Sequence, residues 1–203
     1  MKNVEEALKI LRCGDSDTEY RRVKLFSDKS LKFLKKYKLN QKNVLCKVHS
    51  GDEVLDLLSY NANVTCYSSN KLDLYFLKLK LAAMKLGYKT FINYYFYTKG
   101  SKKLYLKFRD NLDNETKYFF DTLYNYTNSL FDTRLIFNDY DVETLKLYIR
   151  YLINKRFYET TNNTNNIKFI FSSDKNVSKK VNDTYDFIYL AYNIENIDEK
   201  RFR

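Results

Sequence analysis

The stretch "NVLCKVHSGDEVLDLLS", residues 43–59, decides the fold. It begins with an apolar run, Val44 to Val48, which is typical of a buried strand. A turn follows at His49 to Asp52, and the apolar residues after the turn recur at helical spacing. A strand, a tight turn and a helix in this order open the nucleotide site of a Rossmann-type sheet. The stretch therefore predicts a strand over 44–48 and a helix over 52–59.

The rest of the chain continues this alternation of apolar runs and helical patterns. Further strands are predicted over 64–68, 167–171 and 185–192. The strongest helix is predicted over 70–86, with Gly87 at its C-terminal cap position. Other helices are predicted over 3–12, 28–38, 101–109, 114–129 and 141–158. The aromatic segment 89–98 fits either a helix or a strand.

Strands that alternate with helices predict an α/β fold with a mostly parallel, Rossmann-like sheet flanked by helices. We expect one domain over 1–203, with a helical N-terminal segment over 1–42, a helical insertion over 90–158 and a sheet truncated at the C-terminus. Right-handed crossovers predict the strand order 64–68, 44–48, 186–190. The strand 167–171 is expected outside 64–68 or at the far edge.

The composition gives weaker indications about partners. The chain has 36 Lys and Arg against 25 Asp and Glu, a net charge of +11. This excess favours nucleic acid or an anionic membrane surface as a partner, but an A/T-rich codon bias toward lysine explains it equally simply. If nucleic acid binds, the basic residues should cluster on one face. The chain has no apolar run near the ~18 residues of a membrane span and no signal peptide, which predicts a cytoplasmic protein. Its three cysteines and single histidine form no metal motif.

Three segments together resemble class I S-adenosylmethionine-dependent methyltransferases. They read "VLCKVHSGDEVLDLL", "VTCYSSNKLDLYFLKLKLAAMKLGYKTF" and "YDFIYLAYNI". More narrowly, they are similar to the aminocarboxypropyl transferases of betaine-lipid synthesis and their small bacterial relatives. The "LKLAA" element, Leu79 to Ala83, lies at the family's spacing from Asn70. The segment "RLIFNDYDVETLKLYIRYLINKRFY" resembles the helical insertion of those relatives, and the resemblance covers most of 25–195.

The resemblance implies a site for S-adenosylmethionine at the carboxyl edge of the sheet and an acceptor that the sequence does not name. The loop after the first strand would wrap the methionine part, and the end of the second strand would hold the ribose. Asp174 fits either a position beside the adenine amine or a solvated loop residue. The implied cofactor-binding residues are His49, Ser50, Gly51, Asp52, Ser68, Ser69, Asn70, Asp174 and Asn193.

The chain departs from the family pattern at this same edge. Only Gly51 remains of the glycines in the loop, Ser68 occupies the position of the ribose-binding acid, and Lys71 replaces a proline. Loss of a charged hydrogen bond costs ~1.5–3 kcal/mol of affinity. We therefore expect an S-adenosylmethionine-binding, methyltransferase-like protein with a degraded cofactor loop. The alternative is a pseudoenzyme on the same fold, a non-catalytic binding or scaffold protein with nucleic acid or another protein as its partner.

Several residues have a structural interpretation beside the functional one. His49 fits a general base or a loop residue, and Asp52 and Glu53 fit contacts to the cofactor amine or helix capping. The tyrosines of the aromatic segment fit base stacking or core packing; they are Tyr94, Tyr95 and Tyr97.

Two substitutions follow from the implied site. Gly51→Val should block the ligand with little loss of fold, provided that Gly51 is exposed. Ser68→Asp should strengthen binding by restoring the acid.

Overall fold

A computed structural model of the chain describes Leu34, 36–130, Thr160, 163–181 and 183–190. The predicted helices 3–12 and 141–158, most of the predicted helix 28–38, and Asn193 lie outside these residues. The strands are β1 (Asn43–Lys47), β2 (Asn63–Ser68), β3 (Ile167–Phe171) and β4 (Phe187–Tyr189). The helices are α1 (Asp52–Ser59), α2 (Lys71–Lys85), α3 (Tyr88–Ile92), α4 (Lys102–Phe108), α5 (Asn114–Leu123) and α6 (Asp174–Lys180).

The four strands form one sheet in the order β3-β2-β1-β4. All three neighbouring pairs are parallel, and Cys46 lies opposite Cys66 in the pairing of β1 with β2. This confirms the predicted order, with 167–171 outside the second strand. It also confirms a Rossmann-like α/β fold in which helices flank a parallel sheet.

The first strand–turn–helix unit matches its prediction, since α1 occupies 52–59. Gly51 precedes α1 with φ of 87° and is the N-cap residue. All eight residues of α1 are buried, including Asp52, Glu53 and Asp56. Buried acids need partners, because an unpaired charge in the interior is costly. Those partners define the candidate site described below.

Helix α2 is the longest described helix and joins the sheet to the helices beyond it. The Asn70 side chain accepts a hydrogen bond from the Leu72 N–H, which caps the start of α2. The helix ends at Lys85, and Leu86 is its C-cap residue. Gly87 follows with φ of 92°, a conformation that favours glycine. Gly87 therefore lies just after the C-terminal end of α2, as the sequence predicts.

The ambiguous segment 89–98 is helical. Helix α3 continues into a π-helical turn over Asn93–Tyr97. The buried rings of Phe91, Tyr94 and Tyr95 lie at helical spacing, and Tyr94 packs against Phe108 of α4 at 4.9 Å between ring centroids. Helix α5 ends at Leu123, short of its predicted end, and residues 125–130 return to pair with the start of α4.

The main core lies on one face of the sheet and includes Val44, Cys46 and Val48 of the β1 region. On the opposite face, Leu45 and Tyr67 pack against Val177 of α6, a short helix that the sequence pattern did not predict. Strand β4 is shorter than predicted, with three residues. Within the described part of the chain, no helix has the length and apolarity that crossing a membrane requires.

Candidate functional site

The candidate site is the carboxyl edge of the sheet. Strand β1 pairs with β2 on one side and with β4 on the other, so the chain order reverses at β1. Ligands of open α/β sheets bind outside the strand ends at this point. The loop His49 to Asp52 leaves β1 there, and the residues after β2 and β3 end at the same edge.

The Glu53 carboxylate accepts hydrogen bonds from the donors of the loop after β1. One carboxylate oxygen of Glu53 accepts hydrogen bonds from the His49 N–H at 2.5 Å and from the Gly51 N–H at 3.2 Å. Its other oxygen accepts from the Ser50 hydroxyl at 3.1 Å. Backbone N–H groups in such a turn are the donors that would hold an anionic ligand group. In this chain they hold an internal carboxylate.

The neighbouring Asp52 is paired inside the protein. Lys80 of α2 reaches the Asp52 carboxylate at 2.7 Å and the Ser50 carbonyl at 2.8 Å. The Lys80 side chain is 0% exposed and that of Asp52 is 3% exposed. The ion pair therefore ties the loop after β1 to α2, and its charges cancel within the interior.

The end of β2 carries a closed network around Asp73. The Ser68 hydroxyl donates to one carboxylate oxygen of Asp73 at 2.7 Å, and the Asn70 amide donates to the other at 3.0 Å. The Ser68 oxygen also accepts from the Asn70 N–H at 3.0 Å. All three side chains are buried, so the polar groups at the predicted ribose position engage one another.

The residue after β3 that the resemblance places beside an adenine is also engaged. Asp174 pairs with Lys47 of β1 at 2.5 Å, and this contact passes across the intervening strand β2. Tyr67 of β2 lies next to this pair, and its buried hydroxyl interacts with the Asp174 carboxylate without a hydrogen bond of good geometry. Burial raises the pKa of Tyr67, and the Asp174 carboxylate raises it further.

The structure brings most of the predicted residues to one edge and pairs several of them with other residues of the chain. His49 is exposed and Ser69 is half-buried, while Ser50, Gly51, Asp52, Ser68 and Asn70 are buried. Asn70 caps α2, and Glu53 accepts the N–H of Gly51, the residue before α1. Helix capping therefore accounts for Asn70, Glu53 holds the loop before α1, and Asp52 belongs to a buried ion pair.

The expectation for Gly51 was conditional on its exposure, and Gly51 is buried. A Cβ atom at this position would lie 3.2 Å from Leu77 Cδ1 and 3.4 Å from Leu77 Cα. A glycine at this position therefore allows the loop to approach α2 closely and to adopt a positive φ. A side chain here would meet α2 before it met any ligand.

Sequence reasoning missed three residues that shape this edge, Lys47, Asp73 and Lys80. Lys80 had a readable signal, because it is flanked at helical spacing by Phe76, Ala83 and other buried apolar residues. A lysine in an apolar stripe requires a buried counter-charge. Lys47 and Asp73 carried no comparable signal.

Cys46 and Cys66 are buried in adjacent strands, and burial raises the pKa of both thiols, which disfavours the reactive thiolate. Among the described residues, no group of three or more His, Cys, Asp and Glu side chains is arranged to hold a metal ion.

A cavity of about 490 Å³ lies at the opposite edge, beside the amino ends of the strands. Asn43, Asn63 and Asn166 line it together with Lys168 and Asp183, which form an ion pair at 2.8 Å. The cavity is thus separate from the edge where the resemblance places a cofactor.

The Ser68 network yields a prediction about stability. We expect Ser68→Asp to lower the free energy of unfolding by about 2–3 kcal/mol at neutral pH, because two buried carboxylates would then share one site. The loss should shrink as the pH falls toward about 4, where protonation removes the repulsion. Urea unfolding across this range checks it, with Ser68→Asn as the uncharged control. A loss that does not vary with pH would contradict the like-charge explanation.

Comparison of the chain with protein-family models, with curated proteins and with solved structures gives no match. The fold class, a Rossmann-like α/β protein, and the contacts at the carboxyl edge are therefore the basis for the functional proposal.

Proposed function

We propose that this chain is a methyltransferase-like protein that acts as a non-catalytic binding or scaffold protein. The reason is that its own side chains occupy the polar groups at the carboxyl edge of the sheet, where a cofactor would bind. The observation that carries the proposal is the Glu53 carboxylate on the donors of the loop after β1. The other acids of the edge support it, since each has an internal partner. These pairs are Asp52 with Lys80, Asp73 with Ser68, and Asp174 with Lys47.

The energetics favour this closed state. A ligand carboxylate at the loop would have to displace Glu53 from three hydrogen bonds. Each buried polar group that loses its partner costs ~1–3 kcal/mol, and a charged group costs more. Asp52 is no better placed to receive the cofactor ammonium, because Lys80 neutralises it inside the core. The closed edge therefore opposes the tight cofactor binding that catalysis needs.

The second candidate function is S-adenosylmethionine binding with transfer to an acceptor. It is favoured by the position of the residues that follow β1, β2 and β3. They meet at the carboxyl edge of the sheet, where proteins of this fold class bind nucleotides. In that case Glu53 would turn away from the loop when the cofactor enters.

Calorimetric titration with S-adenosylmethionine and S-adenosylhomocysteine separates the two candidates. We expect no binding to the parent protein up to roughly millimolar ligand, a concentration that corresponds to about −4 kcal/mol. Glu53→Ala removes the internal carboxylate and is expected to gain affinity over the parent if this carboxylate closes the edge. Glu115→Gln, which changes an exposed acid on α5, is the control and should behave as the parent does.

The outcomes lead to different conclusions. Micromolar binding by the parent would overturn the non-catalytic proposal and favour the transferase. Binding by Glu53→Ala alone would support a cofactor edge that the chain itself has closed. If neither protein binds, the edge is a structural remnant, and a thermal-denaturation check on Glu53→Ala would confirm that the variant is folded.

A further inference from the structure

One segment of the chain holds an unusual concentration of positive charge. Residues 74–109 contain nine Lys and Arg residues and no Asp or Glu. Three of the nine are paired with acids outside the segment: Lys78 with Asp113, Lys80 with Asp52, and Arg109 with Asp121. Five others are exposed lysines, namely Lys85, Lys89, Lys99, Lys103 and Lys107.

Exposed aromatic and apolar side chains lie among these lysines. Tyr97 is 75% exposed and Leu106 is 56% exposed. Lys89, Asn93 and Tyr97 follow one another at four-residue spacing, and all three are exposed positions of the continuous helical segment 88–97. The tyrosine ring is therefore on the same stripe as a lysine.

The helical segment 88–97, which carries Lys89 and Tyr97, packs against α4, which carries Lys103 and Lys107. The buried ring of Tyr94 contacts that of Phe108 across α3 and α4, and the hydroxyls of Tyr94 and Tyr124 lie 2.6 Å apart. Base stacking by Tyr94 and Tyr95 is thus excluded, because both rings belong to the core. Tyr97 alone of the three tyrosines is available to a partner.

Three described acids that follow this segment pair with cations other than its exposed lysines. Asp110 pairs with Lys117 at 2.9 Å, Asp113 pairs with Lys78 at 3.0 Å, and Asp121 holds Arg109. Burial opposes ionisation of Asp121, but its contact with Arg109 lowers the pKa of this carboxyl below its usual value. Lys117 lowers the pKa of Asp110. These carboxylates are therefore engaged with other cations than the five lysines.

We propose that Lys85, Lys89, Tyr97, Lys103 and Lys107 share one face, here called the lysine–tyrosine surface, and that this surface binds single-stranded nucleic acid. Lysines track a phosphate backbone, and an exposed aromatic ring stacks on an unpaired base of any sequence. A duplex offers no free base face to Tyr97, so single strands are the fitting partner. The exposed side of α4 carries two lysines for one leucine, whereas a membrane-seeking helix needs a broad apolar face.

This inference does not rest on the state of the cofactor edge. The lysine–tyrosine surface comprises the last residue of α2 and residues of the helices that follow it. Its function would be the same whether or not the carboxyl edge accepts a cofactor. Failure of one proposal therefore leaves the other standing.

Fluorescence anisotropy with labelled oligo(U), oligo(dT) and duplex DNA of about 20 nucleotides tests the inference at two salt concentrations. We expect both single strands to bind more tightly than the duplex, and the comparison of oligo(U) with oligo(dT) shows whether RNA or DNA is preferred. The fourfold variant K85Q/K89Q/K103Q/K107Q should lose at least about tenfold in affinity. Its salt slope should fall by about 3, since each single-strand contact contributes ~0.7.

A matched variant makes the same change in net charge elsewhere. K36Q/K38Q/K175Q/K179Q replaces four other exposed lysines and should keep its affinity within about twofold of the parent. Equal losses in the two fourfold variants would overturn the proposed surface, because net charge alone would then explain the binding.

The tyrosine has its own test. Tyr97→Ala should weaken single-strand binding by about 5-fold to 100-fold, while Tyr97→Phe should bind like the parent because it keeps the ring. No loss in Tyr97→Ala would overturn the stacking role. Absence of oligonucleotide binding at low salt would overturn the whole inference, and binding instead to phosphatidylserine vesicles would assign the lysines to a membrane surface.

Discussion

Lys80→Met is expected to lower the free energy of unfolding by about 3–5 kcal/mol, because it leaves the Asp52 carboxylate buried without its counter-charge. The Lys80 ammonium contacts Asp52 at 2.7 Å and the Ser50 carbonyl at 2.8 Å. The substitution removes both contacts and keeps a side chain of similar length in the apolar stripe of α2. Urea unfolding measures the loss, and an unchanged dependence on denaturant would show that the unfolded state is unaffected.

The same helix supplies the control for this prediction. Lys78→Met removes a lysine two positions away that pairs with Asp113, but the two side chains are 22% and 45% exposed. A pair of this kind contributes about 0–1 kcal/mol, so Lys78→Met should have little effect. Equal losses in the two variants would mean that burial of the Lys80–Asp52 pair has no energetic importance.

A double variant separates the cost of the unpaired charge from the value of the pair. Asp52→Leu with Lys80→Met replaces both charges by apolar groups, and buried pairs replaced in this way are often neutral. We expect the double variant to recover most of the stability that Lys80→Met loses. If the double variant is as unstable as the single one, the pair positions the loop in a way that apolar packing cannot reproduce.

The order of the strands could be predicted because it depends on local patterns and one handedness rule. The apolar runs at 44–48 and 64–68 are short and flanked by helical patterns, so parallel pairing through right-handed crossovers was the natural solution. Helix α6 was missed because it has seven residues, of which only Val177 is buried. Such a segment has too little apolar periodicity to differ from a loop.

The chemistry of the carboxyl edge was harder to predict, because its contacts join distant parts of the chain. The sequence predicted that Asp52 and Glu53 lie at the carboxyl edge of the sheet. It could not show that Lys80, 28 residues away, forms an ion pair with Asp52. Ser68 was interpreted by its position at the end of a strand, where a ligand is expected. Its partner Asp73 lies five residues further on, in the first turn of α2, within a segment that reads as ordinary helix.

Gly51→Val is the second substitution with a large expected effect, a loss of about 2–5 kcal/mol in the free energy of unfolding. Gly51 has a φ of 87°, and the left-handed region costs a residue other than glycine ~1–2 kcal/mol. The added Cβ would meet Leu77 at 3.2 Å, and overpacking of this kind costs ~1–3 kcal/mol more. The carbonyl of Gly51 accepts the first hydrogen bonds of α1, from Val54 and Leu55, so a shift of the turn would also disturb that helix.

The variant Gly51→Asn separates the two causes of this loss, the left-handed conformation and the contact with Leu77. Gly51→Asn tolerates the left-handed conformation but still places a Cβ against Leu77, so it should be less destabilising than Gly51→Val. Chemical unfolding of both variants provides the comparison. A Gly51→Val protein as stable as the parent would show that α2 yields to the side chain. If the predicted loss is found, a failure of Gly51→Val to bind a cofactor reports a damaged fold, and only Glu53 variants can test whether the loop still accepts a ligand.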